Sequence, residues 1–331
     1  MTRFTRFTRF IPENSIRLPA TFSSKEEGER VVREFENAFD RRLEEAAEAI
    51  CRDVVEHGVR VIRLSGPTCA GKTTTAAKLT EVLEEAGCSV HPISLDDFFY
   101  DREVLIEKAA KSPDKKLDYD SVETINLPAI AKVVNDLMTE GRAEIPIFDF
   151  KTGKSTESRT LTVESEDQPV FLFEGIQAVY PEVAAMFDNV EDRSLFISVF
   201  RDVTVEGEGF ARTFEPNRIR LMRRLVRDEA KRGATPTFTL HIWHTVRENE
   251  ENAIFPQVEH CDYLIDSAMG FDVHMLAPHL RRILEESPVS GEDEAVAADI
   301  LASLAGIEGI SDDCLADNSL YHEFILKDAQ P

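Results

Sequence analysis

The chain has 331 residues, of which 42% are hydrophobic and 30% charged, so it is long enough to bury a full α/β core in one large domain or two smaller ones. Its 38 basic and 62 acidic residues give a net charge of −24, which disfavours general binding to nucleic acid or to an anionic membrane surface. The N-terminus lacks the apolar core of a signal peptide and no apolar run is long enough to span a bilayer, so we expect a cytoplasmic protein without a membrane partner.

The first 58 residues come before the motifs that carry chemistry. Residues 1–24 open with a repeated Thr-Arg-Phe, whose period fits neither a strand face nor a helix face, and we expect a flexible basic arm. Docking of this arm on a partner subunit, as in a homo-oligomer, is the alternative. Residues 25–58 carry apolar side chains at helical spacing as far as Gly58, which predicts a long helix that is broken once.

The next segment predicts a phosphate-binding loop between a strand at 59–65 and an amphipathic helix at 74–86. Its sequence, GPTCAGKT, fits the pattern G-x-x-x-x-G-K-[ST]. In such a loop backbone N–H groups surround phosphate oxygens, Lys72 reaches the β and γ phosphates, and the Thr73 hydroxyl ligates Mg²⁺. The flanking strand and helix disfavour the alternative of a Gly-rich turn without a ligand. The predicted nucleotide-binding residues here are Gly66, Pro67, Thr68, Cys69, Ala70, Gly71, Lys72, Thr73 and Thr74.

Strands and helices alternate through the rest of the body. Strands are predicted at 89–95, 170–173, 195–200 and 263–266, with a short strand or sheet edge at 144–150. Helices are predicted at 127–140, 217–231, 235–250 and 272–286, a polar loop at 112–120, and a polar hairpin or excursion at 152–168. This alternation predicts an α/β fold of the P-loop NTPase type, with a mostly parallel sheet and helices on both faces. We expect this P-loop domain to occupy residues 59–286.

Residues 287–331 form an acidic C-terminal extension. From Glu285 to the end there are 12 acidic residues and one basic residue, Lys327. Apolar residues at 295–304 and 320–326 have spacings that allow packing, so we expect one or two short helices against the body. The sequence alone does not support a role for this extension in assembly or regulation.

Carboxylates follow two of the predicted strands. Glu174 comes directly after the apolar run 170–173, where a Walker B acid holds Mg²⁺ or its water; a glutamate that merely starts a helix is the alternative. Asp96 and Asp97 follow the strand at 89–95, at the sheet edge where open α/β proteins bind ligands. A carboxylate at this edge can accept the proton of a hydroxyl that attacks the γ phosphate.

The helix at 217–231 stacks arginines at i, i+3 and i+4. Such a cluster in an acidic chain predicts a lid that closes over a triphosphate, formed here by Arg220, Arg223 and Arg227; a solvated helix face is the alternative. The eight histidines show no metal-ligand spacing, and the five cysteines form no C-x-x-C pair. We therefore assign neither a disulfide framework nor any metal except Mg²⁺.

Taken together, these segments resemble the uridine kinase and phosphoribulokinase family. The matching runs occur in the family's order: GPTCAGKTT, ISLDDFF, PIFDFKTGKS, FLFEGI, RLMRRLVRDEAKRG, WHTVRENEENAIFP and CDYLIDSA. The resemblance is closest to a bacterial uridine kinase-like branch in which a TGS domain normally precedes the kinase domain. Because only a helix and a basic arm precede these motifs, we expect no TGS domain here.

The resemblance implies roles for individual residues. ATP and Mg²⁺ would contact Lys72 and Thr73, Glu174 would lie on the metal side, directly or through water, and Asp96 would be the base for a nucleoside 5′-hydroxyl. Arg220, Arg223 and Arg227 match lid arginines: Arg220 and Arg223 would be catalytic together with Lys72, and Arg223 and Arg227 would bind the nucleotide. The implied acceptor-binding residues are Asp96, Tyr119, Asp120, Phe148, Phe150 and Arg220.

The sequence departs from the family where a pyrimidine base would bind. Kinases of the animal type place a tyrosine and a histidine there, whereas this chain has Phe148 and Gly153. A lost polar contact weakens discrimination between substrates, so three functions stay open. They are a uridine or cytidine kinase, a kinase of another small alcohol such as a sugar phosphate or pantothenate-like compound, and an ATP-binding regulatory protein with weak catalysis. ATP and GTP are both open as donors.

Overall fold

The computed structural model describes residues 8–111, 120–150, 152–163 and 168–326. The strands in this part of the chain are β1 (Thr8–Phe10), β2 (Ile16–Pro19), β3 (Val61–Ser65), β4 (Val90–Ser94), β5 (Arg142–Asp149), β6 (Lys154–Thr162), β7 (Val170–Glu174), β8 (Asp192–Ser198), β9 (Val203–Gly207), β10 (Phe210–Phe214) and β11 (Tyr263–Asp266). The α-helices are α1 (Lys25–His57), α2 (Lys72–Glu85), α3 (Arg102–Lys111), α4 (Leu127–Glu140), α5 (Pro181–Ala184), α6 (Pro216–Arg232), α7 (Pro236–Asn249), α8 (Asp272–Glu286) and α9 (Glu294–Ser303).

Six strands form a parallel sheet in the order β1-β11-β8-β3-β7-β4. Every residue of β3 is buried, as expected for a parallel strand covered on both faces. Its side chains alternate between two apolar cores, because Ile62 and Leu64 pack on one side of the sheet and Val61 on the other. The predicted α/β architecture with a mostly parallel sheet and covering helices is therefore confirmed.

The order of strands brings three strand ends together. β3 pairs with β7, and β7 pairs with β4, so that Leu64 and Ser94 are both registered with Glu174. Because these strands are parallel, the loops that leave β3, β4 and β7 all start at the same edge of the sheet. The phosphate loop, the Asp96 segment and Glu174 therefore lie at one edge.

The N-terminal region differs from the expected flexible arm. Thr8–Phe10 pairs with β11 as the edge strand of the main sheet, and Ile16–Pro19 pairs with β9. An edge strand offers unpaired backbone groups, and β1 satisfies those of β11. Residues 1–7, which hold most of the Thr-Arg-Phe repeat, lie outside the described residues. The following helix, α1, is continuous over 33 residues instead of broken, and it ends at Gly58 with φ of 69°.

Two antiparallel hairpins project from the main sheet. The first consists of β5 and β6, which pair antiparallel. The polar segment at 152–168 therefore does not form a hairpin by itself, because it contributes one strand, β6, that pairs with β5. β9 and β10 form a second hairpin, extended by β2, which the sequence analysis did not predict. Among the described helices, none combines the length and the apolar character that crossing a bilayer requires.

The C-terminal extension returns to the body. Helix α9 and a 3-10 turn at Leu320–Glu323 correspond to the two predicted apolar segments. The backbone N–H of Ile310 donates to the His274 carbonyl at 3.2 Å, which fixes the chain against α8. Tyr321 and Phe324 are fully buried in the core that also contains the apolar face of α2. The described part of the extension thus packs against α2, the helix that follows the phosphate loop.

Candidate active site

The loop between β3 and α2 has the tight backbone of a phosphate-binding loop. A Cβ atom at Gly66 would lie 2.1 Å from the Ile197 carbonyl oxygen, so only glycine fits there. Cys69 and Gly71 have φ of 57° and 92°, in the left-handed region. The loop leads directly into α2, whose first N–H groups have no partner within the helix and point toward the loop.

Lys72 stands between the loop and two carboxylates. Its Nζ donates to the Pro67 carbonyl at 3.1 Å. Burial raises the pKa of Asp96, the positive charge of Lys72 opposes that rise, and Asp97 adds to it. Burial likewise raises the pKa of Glu174 to about 7; Lys72 again opposes the rise, while Asp96 and Glu323 add to it. One ammonium group is thus the electrostatic neighbour of both carboxylates.

The oxygen atoms at this edge fit Mg²⁺. In phosphotransfer sites Mg²⁺ is bound by one or two protein oxygens together with substrate phosphates and water. Thr73, in the first turn of α2, and Glu174, at the end of β7, supply a hydroxyl and a carboxylate of that kind. Burial is the main cause of the raised pKa of Glu174, and the charges of Asp96 and Glu323 add to it; a bound cation would favour the ionised carboxylate. No group of three or more His, Cys, Asp or Glu side chains within the described ranges could hold a metal ion.

An aromatic group borders the Asp96 segment. The ring centroids of Phe148 and Phe99 are 5.6 Å apart, and those of Phe148 and Phe150 are 5.1 Å apart. Asp97 fixes the group in place, because its carboxylate accepts a hydrogen bond from the Phe148 backbone N–H at 3.3 Å. Phe150 is 59% exposed, so the group presents an apolar ring to solvent. Phe99 was not among the predicted residues, although it follows Asp96 by three positions.

The remaining predicted acceptor residues are only partly described. Tyr119 lies outside the described residues. The Asp120 carbonyl accepts a hydrogen bond from the Tyr180 hydroxyl at 3.0 Å. Residues on both sides of Asp120 in the sequence line a cavity of about 600 Å³. They are Tyr100, Lys108, Lys111, Val122, Glu123, Ile125, Leu127 and Pro128. Neither Lys72, Asp96 nor Glu174 lines this cavity, so we place the chemistry at the strand ends, where the reactive groups converge.

Helix α6 carries the arginines that were predicted to form a lid over a triphosphate, and these arginines are buried. Arg220 and Arg223 are fully buried, and Arg227 is 8% exposed. Arg223 forms a two-pronged ion pair with Asp272, with distances of 2.7 and 2.9 Å. Arg227 pairs with Asp228 at 2.7 Å. A buried guanidinium needs such partners, and here the protein supplies them.

The same helix lies on the phosphate loop through Thr68. The Thr68 carbonyl accepts from Arg220 at 3.2 Å, and its hydroxyl accepts from Arg224 at 3.3 Å and Arg227 at 3.4 Å. Its N–H donates to Glu250 at 3.3 Å. The arginines therefore fix the shape of the loop, and their predicted contact with phosphate stays a prediction.

Sequence reasoning missed two acidic residues that complete this network. Glu250 is fully buried and binds both Arg220 and the loop, and Asp272 is fully buried against Arg223 and the Met269 N–H. Glu250 lies inside the run WHTVRENEENAIFP, and Asp272 comes four residues after the run CDYLIDSA. A charge-balancing argument for the buried arginines could have indicated that such partners exist.

This chain is similar in sequence to known kinases. The model of the phosphoribulokinase / uridine kinase family matches residues 61–208. The uridine kinase of Lactobacillus johnsonii is 25% identical over 227 residues, which cover 68% of this chain and 95% of that protein. The uridine kinase of Borrelia turicatae is 26% identical over 239 residues, which cover 70% of this chain and 98% of that protein.

Two further matches differ in how much of each protein the alignment covers. Uridine-cytidine kinase C of Dictyostelium discoideum is 29% identical over 180 residues, which cover 52% of this chain and only 36% of that protein. Among solved structures, D-glycerate 3-kinase from Cryptococcus neoformans matches with a TM-score of 0.38 and 16% identity, over 83% of this chain and 90% of that one.

Proposed function

We propose that this chain, of which residues 61–208 match the model of the phosphoribulokinase / uridine kinase family, is an ATP-dependent kinase that transfers the γ-phosphoryl group of ATP to the 5′-hydroxyl of a nucleoside, with uridine or cytidine as first candidates. One observation carries the proposal: Lys72, Asp96 and Glu174 lie together at the carboxyl edge of β3, β4 and β7. This is the combination of cation, base and metal ligand that phosphoryl transfer requires.

In the proposed reaction the acceptor hydroxyl displaces ADP in line at the γ phosphorus. The acceptor oxygen forms a bond to the γ phosphorus, the bond from that phosphorus to the β,γ-bridging oxygen breaks, and ADP leaves. Asp96 accepts the proton of the acceptor hydroxyl, and its raised pKa favours that acceptance. Lys72 stabilises the phosphate charge. Mg²⁺, held by Thr73 and Glu174, would neutralise further charge on the phosphates when bound.

The experiment measures ADP release with ATP and Mg²⁺ against a panel of nucleosides and small alcohols, with Lys72→Ala as the blank. Stimulation by uridine or cytidine, absent from the Lys72→Ala protein, supports the proposal. ATP bound tightly with no acceptor-dependent ADP release would contradict it and favour a regulatory protein. GTP in place of ATP tests the donor.

A second acceptor class is favoured by the aromatic group near Asp97. Phe148 and Phe150 provide stacking faces without side-chain hydrogen-bond donors or acceptors. At Gly153, where φ is 70°, an added Cβ would lie 2.8 Å from the Arg102 side chain, so that side chain takes the space a histidine would need. A different small alcohol is therefore the alternative acceptor. Inert uridine and cytidine, together with another alcohol that stimulates ADP release, would favour it.

A further inference from the structure

The C-terminal segment Ser319–Ile325, called here the C-terminal plug, lies on the phosphate loop. Leu320 is 1% exposed and packs so closely against Gly71 that a Cβ atom there would lie 2.5 Å from the Leu320 Cδ1 atom. In a phosphate loop the triphosphate passes over this part of the backbone, where N–H groups must face its oxygens. A leucine methyl group and a phosphate oxygen cannot share that space.

Aromatic side chains of the plug cover the arginine that was predicted to contact ATP. The Arg223 guanidinium carbon is 5.6 Å from the Tyr321 ring centroid and 5.0 Å from that of Phe324. The Tyr321 hydroxyl donates to Asp272, the ion-pair partner of Arg223. Such stacking is attractive, and it removes both the ring and the cation from water.

The plug also brings a carboxylate to the site. Glu323 is an electrostatic neighbour of Glu174, and its charge adds to the raised pKa of that residue. The Glu323 charge also helps to raise the pKa of Arg227, and at Lys231 it opposes the lowering of the pKa by burial. The Lys231 Nζ donates to the carbonyl of the neighbouring His322. One oxygen of Glu323, Oε2, is buried without a hydrogen-bond partner. An anionic group therefore lies among the basic groups of α6, beside the Mg²⁺ ligand.

We propose that the C-terminal plug is an autoinhibitory segment that competes with ATP for the phosphate loop, with Leu320 occupying the phosphate path and Glu323 taking the place of a phosphate among the basic groups. The inference rests on the proposed function for the identity of its competitor. ATP binding displaces the plug, so the apparent dissociation constant for ATP exceeds the intrinsic one by the inverse of the fraction of protein with the plug displaced.

The test measures binding of a non-hydrolysable ATP analogue with Mg²⁺ to the full chain by titration calorimetry. Leu320→Ser should lower the dissociation constant at least tenfold relative to wild type. Leu326→Ser is the matched control, because Leu326 lies just after the plug and is 54% exposed; its dissociation constant should stay within twofold of wild type. Equal constants for wild type and Leu320→Ser would overturn the proposal and leave the proposed function intact.

Hydrogen exchange of the wild-type chain provides a second readout that does not depend on any variant folding. Saturating analogue should speed exchange of the amides at 320–325 while those of β3 stay protected. Slower exchange at 320–325 would overturn the proposal, because the segment would then close over the nucleotide instead of competing with it. Binding that is undetectable in wild type and Leu320→Ser, and equal to the Lys72→Ala blank, would overturn both this proposal and the proposed nucleotide site.

Discussion

Arg220 and Glu250 form a two-pronged ion pair in the interior of the protein, with distances of 2.6 and 2.7 Å and no exposed side-chain surface on either residue. Both groups also contact Thr68 of the phosphate loop, Arg220 through the carbonyl and Glu250 through the N–H. The pair therefore joins α6 and the end of α7 to the loop.

Glu250→Gln should destabilise the protein strongly. The substitution leaves the Arg220 charge buried without its counter-ion, which costs about 3–5 kcal/mol. Chemical denaturation measures the loss of unfolding free energy. Glu251→Gln is the control, since Glu251 is 66% exposed and pairs with Arg247 at 2.8 Å, so its loss should be about 0–1 kcal/mol. Equal losses for the two variants would contradict a structural role for the buried pair.

Asp96→Asn should lower kcat by a factor of about 10²–10⁴, because the amide cannot accept the acceptor's proton. Thermal unfolding checks that the fold is retained, and coupled ADP release measures kcat. Asp97→Asn is the matched neighbour: it removes one of the charges that raise the pKa of Asp96, but its amide oxygen can still accept from the Phe148 N–H and it leaves the Asp96 carboxylate in place, so it should keep most of kcat. Full turnover by a folded Asp96→Asn protein would remove Asp96 from the mechanism.

Gly66→Ala should reduce ATP affinity at least tenfold. The added methyl group meets the Ile197 carbonyl oxygen at 2.1 Å, so the phosphate loop must move, and overpacking of this kind costs about 1–3 kcal/mol. Gly87→Ala is the control: φ at Gly87 is 90°, the space around an added Cβ is open, and Gly87 lies past the end of α2 that is opposite to the loop. We expect a strained backbone with unchanged ATP affinity there. Nucleotide titration of the two variants separates the outcomes.

His274 should make stability depend on pH. The ring is fully buried, Nε2–H donates to the Pro19 carbonyl at 2.9 Å, and burial lowers the pKa below its usual 6.5, opposed by that hydrogen bond and by Glu308. The unfolded state therefore binds a proton first as pH falls. This contribution is complete above pH 6.5 and decreases as pH drops below it.

The measurement compares the unfolding free energy of wild type and His274→Gln between pH 7 and 5. The wild type should lose more stability over this range, since glutamine does not titrate. His241→Gln, at an exposed position, should keep the wild-type slope. An identical slope for His274→Gln and wild type would exclude His274 as the source.

The sequence by itself determined the parts of this protein that are local in the chain. The phosphate loop, its strand and helix, and the carboxylates after β4 and β7 follow from short motifs and from hydrophobic periodicity, because strand, turn and helix formation depend on neighbouring residues. The parallel α/β architecture follows from the alternation of these elements. Parallel pairing then places Asp96 and Glu174 at one sheet edge without further information.

Only the tertiary structure decided what the arginines of α6 and the C-terminal extension do. The spacing of Arg220 and Arg223 fits a lid, yet both are neutralised by Glu250 and Asp272, which lie 30 and 49 positions away. Likewise, the apolar residues near 320 predicted packing, but the sequence did not show against what. Leu320 packs against Gly71, which is far away in the chain. Such contacts are set by how distant elements fill the same space, and no local pattern encodes that choice.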